Sequence, residues 1–105
     1  MSTRILFENC AIAGWAHHGG DSAELRVGQT LVLKREPSNE YDPNAIMVLA
    51  DRMIGYIPRD RAGAVAFIMD QGAEVVARIV KLDLGSANPW QKCVINVLIE
   101  VPHVE

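Results

Sequence analysis

The stretch Glu36-Pro37-Ser38-Asn39-Glu40-Tyr41-Asp42-Pro43-Asn44-Ala45-Ile46 sets two proline-anchored turns between apolar runs. Proline presets the backbone angle at the second position of a turn, and Asn and Asp side chains bond back to nearby backbone groups. The stretch therefore reads as a rigid, polar corner on a β scaffold. Loops of this kind carry binding chemistry because their side chains are not consumed by core packing. Before it, Glu24 to Glu36 carries Leu25, Val27, Leu31, Val32 and Leu33, with Val27-Gly28-Gln29 marking a bulge or turn. After it, Ala45 to Ala50 is almost continuously apolar, as in a strand covered on both faces. Asp51-Arg52 then makes a hairpin connection to a return strand, Met53 to Ile57.

Farther out, Arg4 to Trp15 is a proline-free run of strand formers with Ile5, Phe7, Ala11 and Ala13 on one face at period two. Gly14 permits a bend, and His17-His18-Gly19-Gly20-Asp21-Ser22 is a loop. Pro58 ends the fourth strand, and from Arg59 to Gln71 the period changes. Ala62, Val65, Ala66 and Met69 recur at helical spacing, Asp60, Arg61 and Asp70 take the wet side, and Gly72 stands as a C-cap. Ala73 to Leu84 and Gln91 to Val101 are two further strands, separated by Gly85-Ser86-Ala87-Asn88-Pro89 and Trp90. In the last of them Cys93, Ile95, Val97, Ile99 and Val101 share a face. Six strands, with one helix between the fourth and fifth, predict a mainly β single domain over residues 1–105. The architecture is a small barrel or a strongly bent sheet, since closure disposes of exposed edges.

The 105 residues carry 10 Lys and Arg against 13 Asp and Glu, a net charge of −3. A bulk cationic surface for non-specific nucleic-acid binding is thus absent, and any such contact must be local. The two cysteines, Cys10 and Cys93, form no Cys-x-x-Cys pair and read as buried free thiols in a reducing compartment. No apolar run matches a signal peptide or a membrane span, so the expected location is the cytoplasm.

No phosphate loop, Gly-x-Ser-x-Gly elbow, His-Glu-x-x-His or EF-hand pattern occurs, and the chain reads as non-enzymatic with no cofactor and no metal. His17 and His18 are adjacent, and adjacent residues of an extended chain point to opposite faces, which makes a shared metal awkward. Among the aromatics, Phe7 and Phe67 sit in apolar-periodic context and read as core. Trp15, Tyr41, Tyr56 and Trp90 fall at strand ends or in loops. Such rings either cap the core or stack nucleic-acid bases, which contributes about 1–3 kcal/mol per base, and Arg59 and Arg61 at the helix start could hold a phosphate.

The run Leu33-x-x-Glu36-Pro37-x-Asn39-x-Tyr41-Asp42-Pro43-Asn44-Ala45-Ile46-x-Val48, followed by Ile54-Gly55-Tyr56-Ile57-Pro58-Arg59 and the helix Ala62 to Met69, resembles the HIRAN domain over nearly the whole chain. The resemblance implies a six-stranded OB-like β-barrel with a helix. It also implies a non-catalytic module that captures the 3′-hydroxyl end of single-stranded DNA, as in DNA repair, and guides a helicase or nuclease supplied by another chain. Tyr41 and Asp42 would form the end-binding corner, with the Asp42 carboxylate accepting a hydrogen bond from the terminal hydroxyl. Asn39 would line that corner, and Asn44 would tie the two turns together through its amide. Tyr56 falls where a family member can use a histidine, Arg59 at a basic position facing phosphate, and Trp90 at an aromatic position that stacks a base. The family often presents an arginine and two aromatics before the first loop. Here Trp15 precedes Ala16-His17-His18, so a histidine would stack and the arginine's phosphate contact is lost. The alternative reading is a protein-interaction or oligomerisation module in which the same corner only stabilises the barrel.

Overall fold

The computed structural model describes residues 2–15 and 24–101. Six strands, β1 (Ser2–Ala11), β2 (Thr30–Arg35), β3 (Ile46–Leu49), β4 (Met53–Tyr56), β5 (Glu74–Leu82) and β6 (Cys93–Val101), form one antiparallel sheet in the order β1-β6-β5-β2-β3-β4. Helix α1 (Arg59–Asp70) lies between β4 and β5, as the change of period predicts. A one-turn helix, α2 (Pro89–Lys92), precedes β6. The latter stands where the sequence reads as loop and strand start. Its Pro89 sits at the first helical position, where a missing N–H costs nothing and φ is already suitable.

The sheet is bent, but its strands do not close into a barrel. The end strands β1 and β4 never pair as strands. Just beyond β1, Ala13 meets Tyr56 in an isolated bridge, with Ala13 N donating to the Tyr56 carbonyl at 2.8 Å and Tyr56 N to that of Ala13 at 2.9 Å. The approach depends on Gly55, where a Cβ would collide with the Ile12 side chain and the Ala13 carbonyl. It depends also on irregularities in β1, whose register with β6 shifts between Ile5 and Phe7 and between Phe7 and Cys10. Asn9 adopts a φ of 53°, a conformation Asn tolerates better than most residues, and its N–H donates to Asn96 Oδ1 at 3.0 Å. Bulges re-aim side chains, so the unbroken alternation read from Ile5 to Ala13 fails. Cys10, Ile12 and Trp15 are buried, whereas Ile5 is 52% exposed.

The core is filled by Leu31 and Leu33 of β2, Ile46 and Val48 of β3, Ile54 of β4, alternate residues of β5, and Cys93, Ile95 and Val97 of β6. Ala62, Val65 and Ala66 of α1 cover it. Two sequence expectations need correction. Residues 24–26 are not strand, whereas the turn read at Val27-Gly28-Gln29 is present: Gly28, at a φ of 90°, turns the chain, and Gly28 N donates to the Ile79 carbonyl at 2.8 Å. Phe67 is 66% exposed, because one residue beyond Ala66 lies about 100° around the helix, off the buried stripe. Phe7, read as core, is half-buried and packs against the core as expected, with the Arg61 guanidinium 4.7 Å from its ring centroid. Among the described residues no helix is long and apolar enough to cross a membrane.

Candidate functional site

The corner between β2 and β3 is built by its own side chains. Asn39 Oδ1 accepts from Tyr41 N at 2.9 Å and Asp42 N at 3.0 Å, while Asn39 Nδ2 donates to Glu36 Oε1 at 2.6 Å. One turn later Asp42 Oδ1 accepts from Asn44 N at 2.9 Å. These are two successive Asx turns, each orienting the backbone ahead of the next residue. The tie between the turns is therefore made by the amide of Asn39 rather than that of Asn44, which enters through its backbone N–H. Asn39 lines the cleft, but its amide is spent on holding the loop.

A second layer fixes this corner to the sheet and helix. Arg35, at the end of β2, donates to the Ala45 carbonyl at 2.9 Å and the Pro43 carbonyl at 3.0 Å. Its guanidinium also grips Asp70, at the end of α1, through Nε to Oδ1 at 3.0 Å and Nη2 to Oδ2 at 3.3 Å. Tyr56 donates its hydroxyl to Glu36 Oε1 at 3.0 Å. The Tyr56 pKa is pushed up, first by burial and then by the hydrogen bond to Glu36 and its charge, which keeps the hydroxyl a donor. From the first turn of α1, Arg59 Nη2 donates to the Tyr41 carbonyl at 2.7 Å, and Arg59 Nε lies 3.7 Å from Asp42 Oδ2.

The result is an open cleft of about 250 Å³ lined by Ala13, Asn39, Tyr41, Asp42, Ala45, Tyr56, Ile57 and Arg59. Ala45 and Ile57 are buried beneath it, whereas Tyr41 stands 79% exposed at the rim. Five of the residues singled out in the sequence, Asn39, Tyr41, Asp42, Tyr56 and Arg59, thus converge. Trp90 does not join them. It is 59% exposed on α2 and lines a second groove of about 360 Å³ with Ala11, Ile12, Ala13, Gly14, Trp15, Pro58 and Pro89. The two grooves meet at Ala13, and the run Ile57-Pro58-Arg59 passes from one to the other. Trp15 is 2% exposed and packs in the core. Its burial leaves the ring without an open face like that of Tyr41 or Trp90. His17 and His18 lie outside the described residues.

Sequence reasoning missed Glu36, Arg35 and Asp70 as parts of the site. Glu36 carried a signal, being the acidic residue directly before Pro37. The Arg35–Asp70 pair spans 35 residues, and no local pattern reveals it. Among the described residues no three His, Cys, Asp or Glu side chains gather to hold a metal ion. Both cysteines are buried free thiols. Burial pushes the Cys10 pKa up and that of Cys93 up to about 11, so neither is a ready nucleophile.

A bent antiparallel sheet with one covering helix, and a cleft at its loop end, belongs to the OB-like class of β modules. The HIRAN domain family model matches residues 7–102, and the chain belongs to that family. It is 33% identical over 75 residues to the "Fanconi-associated nuclease 1 homolog" of Oryza sativa subsp. japonica and 43% identical over 64 residues to the "Helicase-like transcription factor" of Mus musculus. These matches cover 67% and 59% of this chain but only 8% and 6% of those much longer proteins. Among solved structures, a Lactobacillus plantarum protein superposes with a TM-score of 0.77 at 27% identity, over 93% of this chain and 94% of that one. The HIRAN domain of HLTF in its DNA-bound conformation superposes with a TM-score of 0.59 at 26% identity, over 90% of this chain and 77% of that one.

Proposed function

We propose that this chain is a non-enzymatic module that binds single-stranded DNA by its 3′-hydroxyl end in the cleft between the 36–45 loop and the start of α1. The observation that carries the proposal is the convergence there of Tyr41, Asp42, Tyr56 and Arg59. Asp42 Oδ1 is held by Asn44 N, which leaves Oδ2, at the edge facing Arg59, to accept a hydrogen bond from a terminal hydroxyl. A 3′-phosphate at that place would bring like charge against the carboxylate. Arg59 partly offsets the Asp42 charge and presents a side chain 76% exposed, suited to the phosphate one step back from the end. The exposed Tyr41 ring flanks the terminal base. From there the strand would pass over Ala13 and Pro58 to the second groove, where Trp90 stacks a further base. The likeness to an HLTF domain solved in a DNA-bound conformation supports this reading. On the same reading the module acts in the cytoplasm and delivers DNA ends to a helicase or nuclease, the kinds of protein that its longer relatives are named for.

Fluorescence anisotropy with short oligonucleotides tests the proposal. Strands ending in a 3′-hydroxyl should bind at least about tenfold more tightly than the same strands ending in a 3′-phosphate, a difference of about 1.4 kcal/mol. Equal affinity for the two, or none for either, overturns it. One observation favours the alternative of a purely structural corner in an interaction module: Asn39, Glu36 and Asp42 Oδ1 are all engaged within the protein. Absence of DNA binding in a well-folded chain is the outcome that alternative requires.

A further inference from the structure

The Asx turns give the 36–45 loop its internal shape, but its position beside the cleft is set by side chains from other elements. The two ends are held separately. Tyr56 donates to Glu36 at one end, and Arg35 donates to the Pro43 and Ala45 carbonyls at the other. The middle, which carries Tyr41 and Asp42, is reached from α1 by Arg59, whose Nη2 donates to the Tyr41 carbonyl at 2.7 Å. Such a bond is charge-assisted and short. The platform behind it is firm: Ile57 N donates to the Ile46 carbonyl at 3.0 Å, and Arg61 N and Ala62 N both donate to the Pro58 carbonyl at 2.9 Å. Pro58, with its φ locked at −55°, carries the chain into the helix. Arg59 thus reaches from a fixed point to the part of the loop that bears the two groups facing the cleft.

We infer, on the reading of this cleft as a DNA-end site, that Arg59 is a positioning residue: its grip on the Tyr41 carbonyl sets where the Tyr41 ring and the Asp42 carboxylate stand. A guanidinium presents its N–H donors on a rigid planar fork. Nη2 takes the carbonyl and Nε faces Asp42 Oδ2 at 3.7 Å, so Nη1 can meet a phosphate while the loop stays held. Selectivity for a hydroxyl end needs Oδ2 at hydrogen-bond distance from it, and a displacement of about 1 Å forfeits that geometry. The charge and the grip of Arg59 therefore act on selectivity in opposite directions. Its charge offsets the Asp42 carboxylate and softens the repulsion of a 3′-phosphate. Its grip keeps the carboxylate where hydroxyl and phosphate are told apart.

Arg59→Met removes both the charge and the grip, and because the side chain is 76% exposed the variant should fold. Two measurements on the whole chain test the inference. In the DNA-free protein, ¹⁵N relaxation should show the backbone order parameters of Tyr41 and Asp42 falling from about 0.85 toward about 0.6, while those of Glu36 and Ala45 hold. In anisotropy, the preference of the variant for 3′-hydroxyl over 3′-phosphate strands should fall from at least about tenfold to less than about threefold. A residue that only neutralises phosphate would leave the free loop unchanged, and its loss would maintain or raise the preference. Either of those results overturns the inference while leaving the DNA-end reading in place. A wild-type chain with no preference overturns that reading and the inference with it.

Discussion

At Asp42 one carboxylate has two tasks that a substitution can separate. Oδ1 holds the turn through Asn44 N, and Oδ2 faces the cleft beside Arg59. Asp42→Asn keeps an oxygen acceptor for the turn and removes the charge. It should therefore preserve folding and binding of 3′-hydroxyl strands to within a few-fold while abolishing their preference over 3′-phosphate strands. Asp42→Ala should lose the discrimination and also destabilise the fold by about 1 kcal/mol, the usual effect of losing one such hydrogen bond. Anisotropy and urea unfolding on the same samples separate the two effects. Arg35 acts farther back. Its side chain is only 16% exposed, and it holds two loop carbonyls and Asp70 at once. Arg35→Met keeps much of the packing but leaves those acceptors without their donor, and should cost about 2–3 kcal/mol in urea unfolding. Asp42 was legible in the sequence as a turn residue beside proline. Arg35 was not, because its partners lie 8, 10 and 35 residues away and only the fold brings them together.

At the scale of elements, the helix, the central strands and the last strand follow from periodicity, since Val65 and Ala66 in α1 and Cys93, Ile95 and Val97 in β6 obey their patterns. The exceptions have local causes. In β1, Asn9 in a left-handed conformation breaks the alternation, a choice that any of several residues could have made. Phe67 shows that an aromatic beside a buried stripe is not part of it, and Phe67→Ser should change stability by less than about 0.5 kcal/mol. Gly55 is the opposite case. Adding one methyl group drives β4 and the end of β1 apart, so Gly55→Ala should destabilise the fold by about 1–3 kcal/mol and weaken DNA binding as well. Thermal unfolding of the two variants side by side checks the contrast.

For the molecule as a whole, a net charge of −3 leaves few cations to displace counterions from DNA. The binding should therefore depend only weakly on salt, and should come from end recognition and stacking. The buried thiols give a pH dependence whose sign is fixed. The Cys93 pKa is raised from 9.0 to about 11 in the fold, so its contribution to stability is fully present below about pH 9 and is lost as the pH rises through 11. Unfolding free energy should fall across that window, and Cys93→Val should flatten the fall.

Among the described residues, the end of β1 and β4 are bridged by the two backbone hydrogen bonds between Ala13 and Tyr56, set where the two grooves meet. An isolated bridge opens ahead of the ladders on either side. The amide protons of Ala13 and Tyr56 therefore form a natural gauge of occupancy. In deuterium exchange they should be among the faster-exchanging paired amides of the empty protein. They should slow several-fold when an oligonucleotide lies across the seam, while the amides in the middle of β5 and β6 keep their rates.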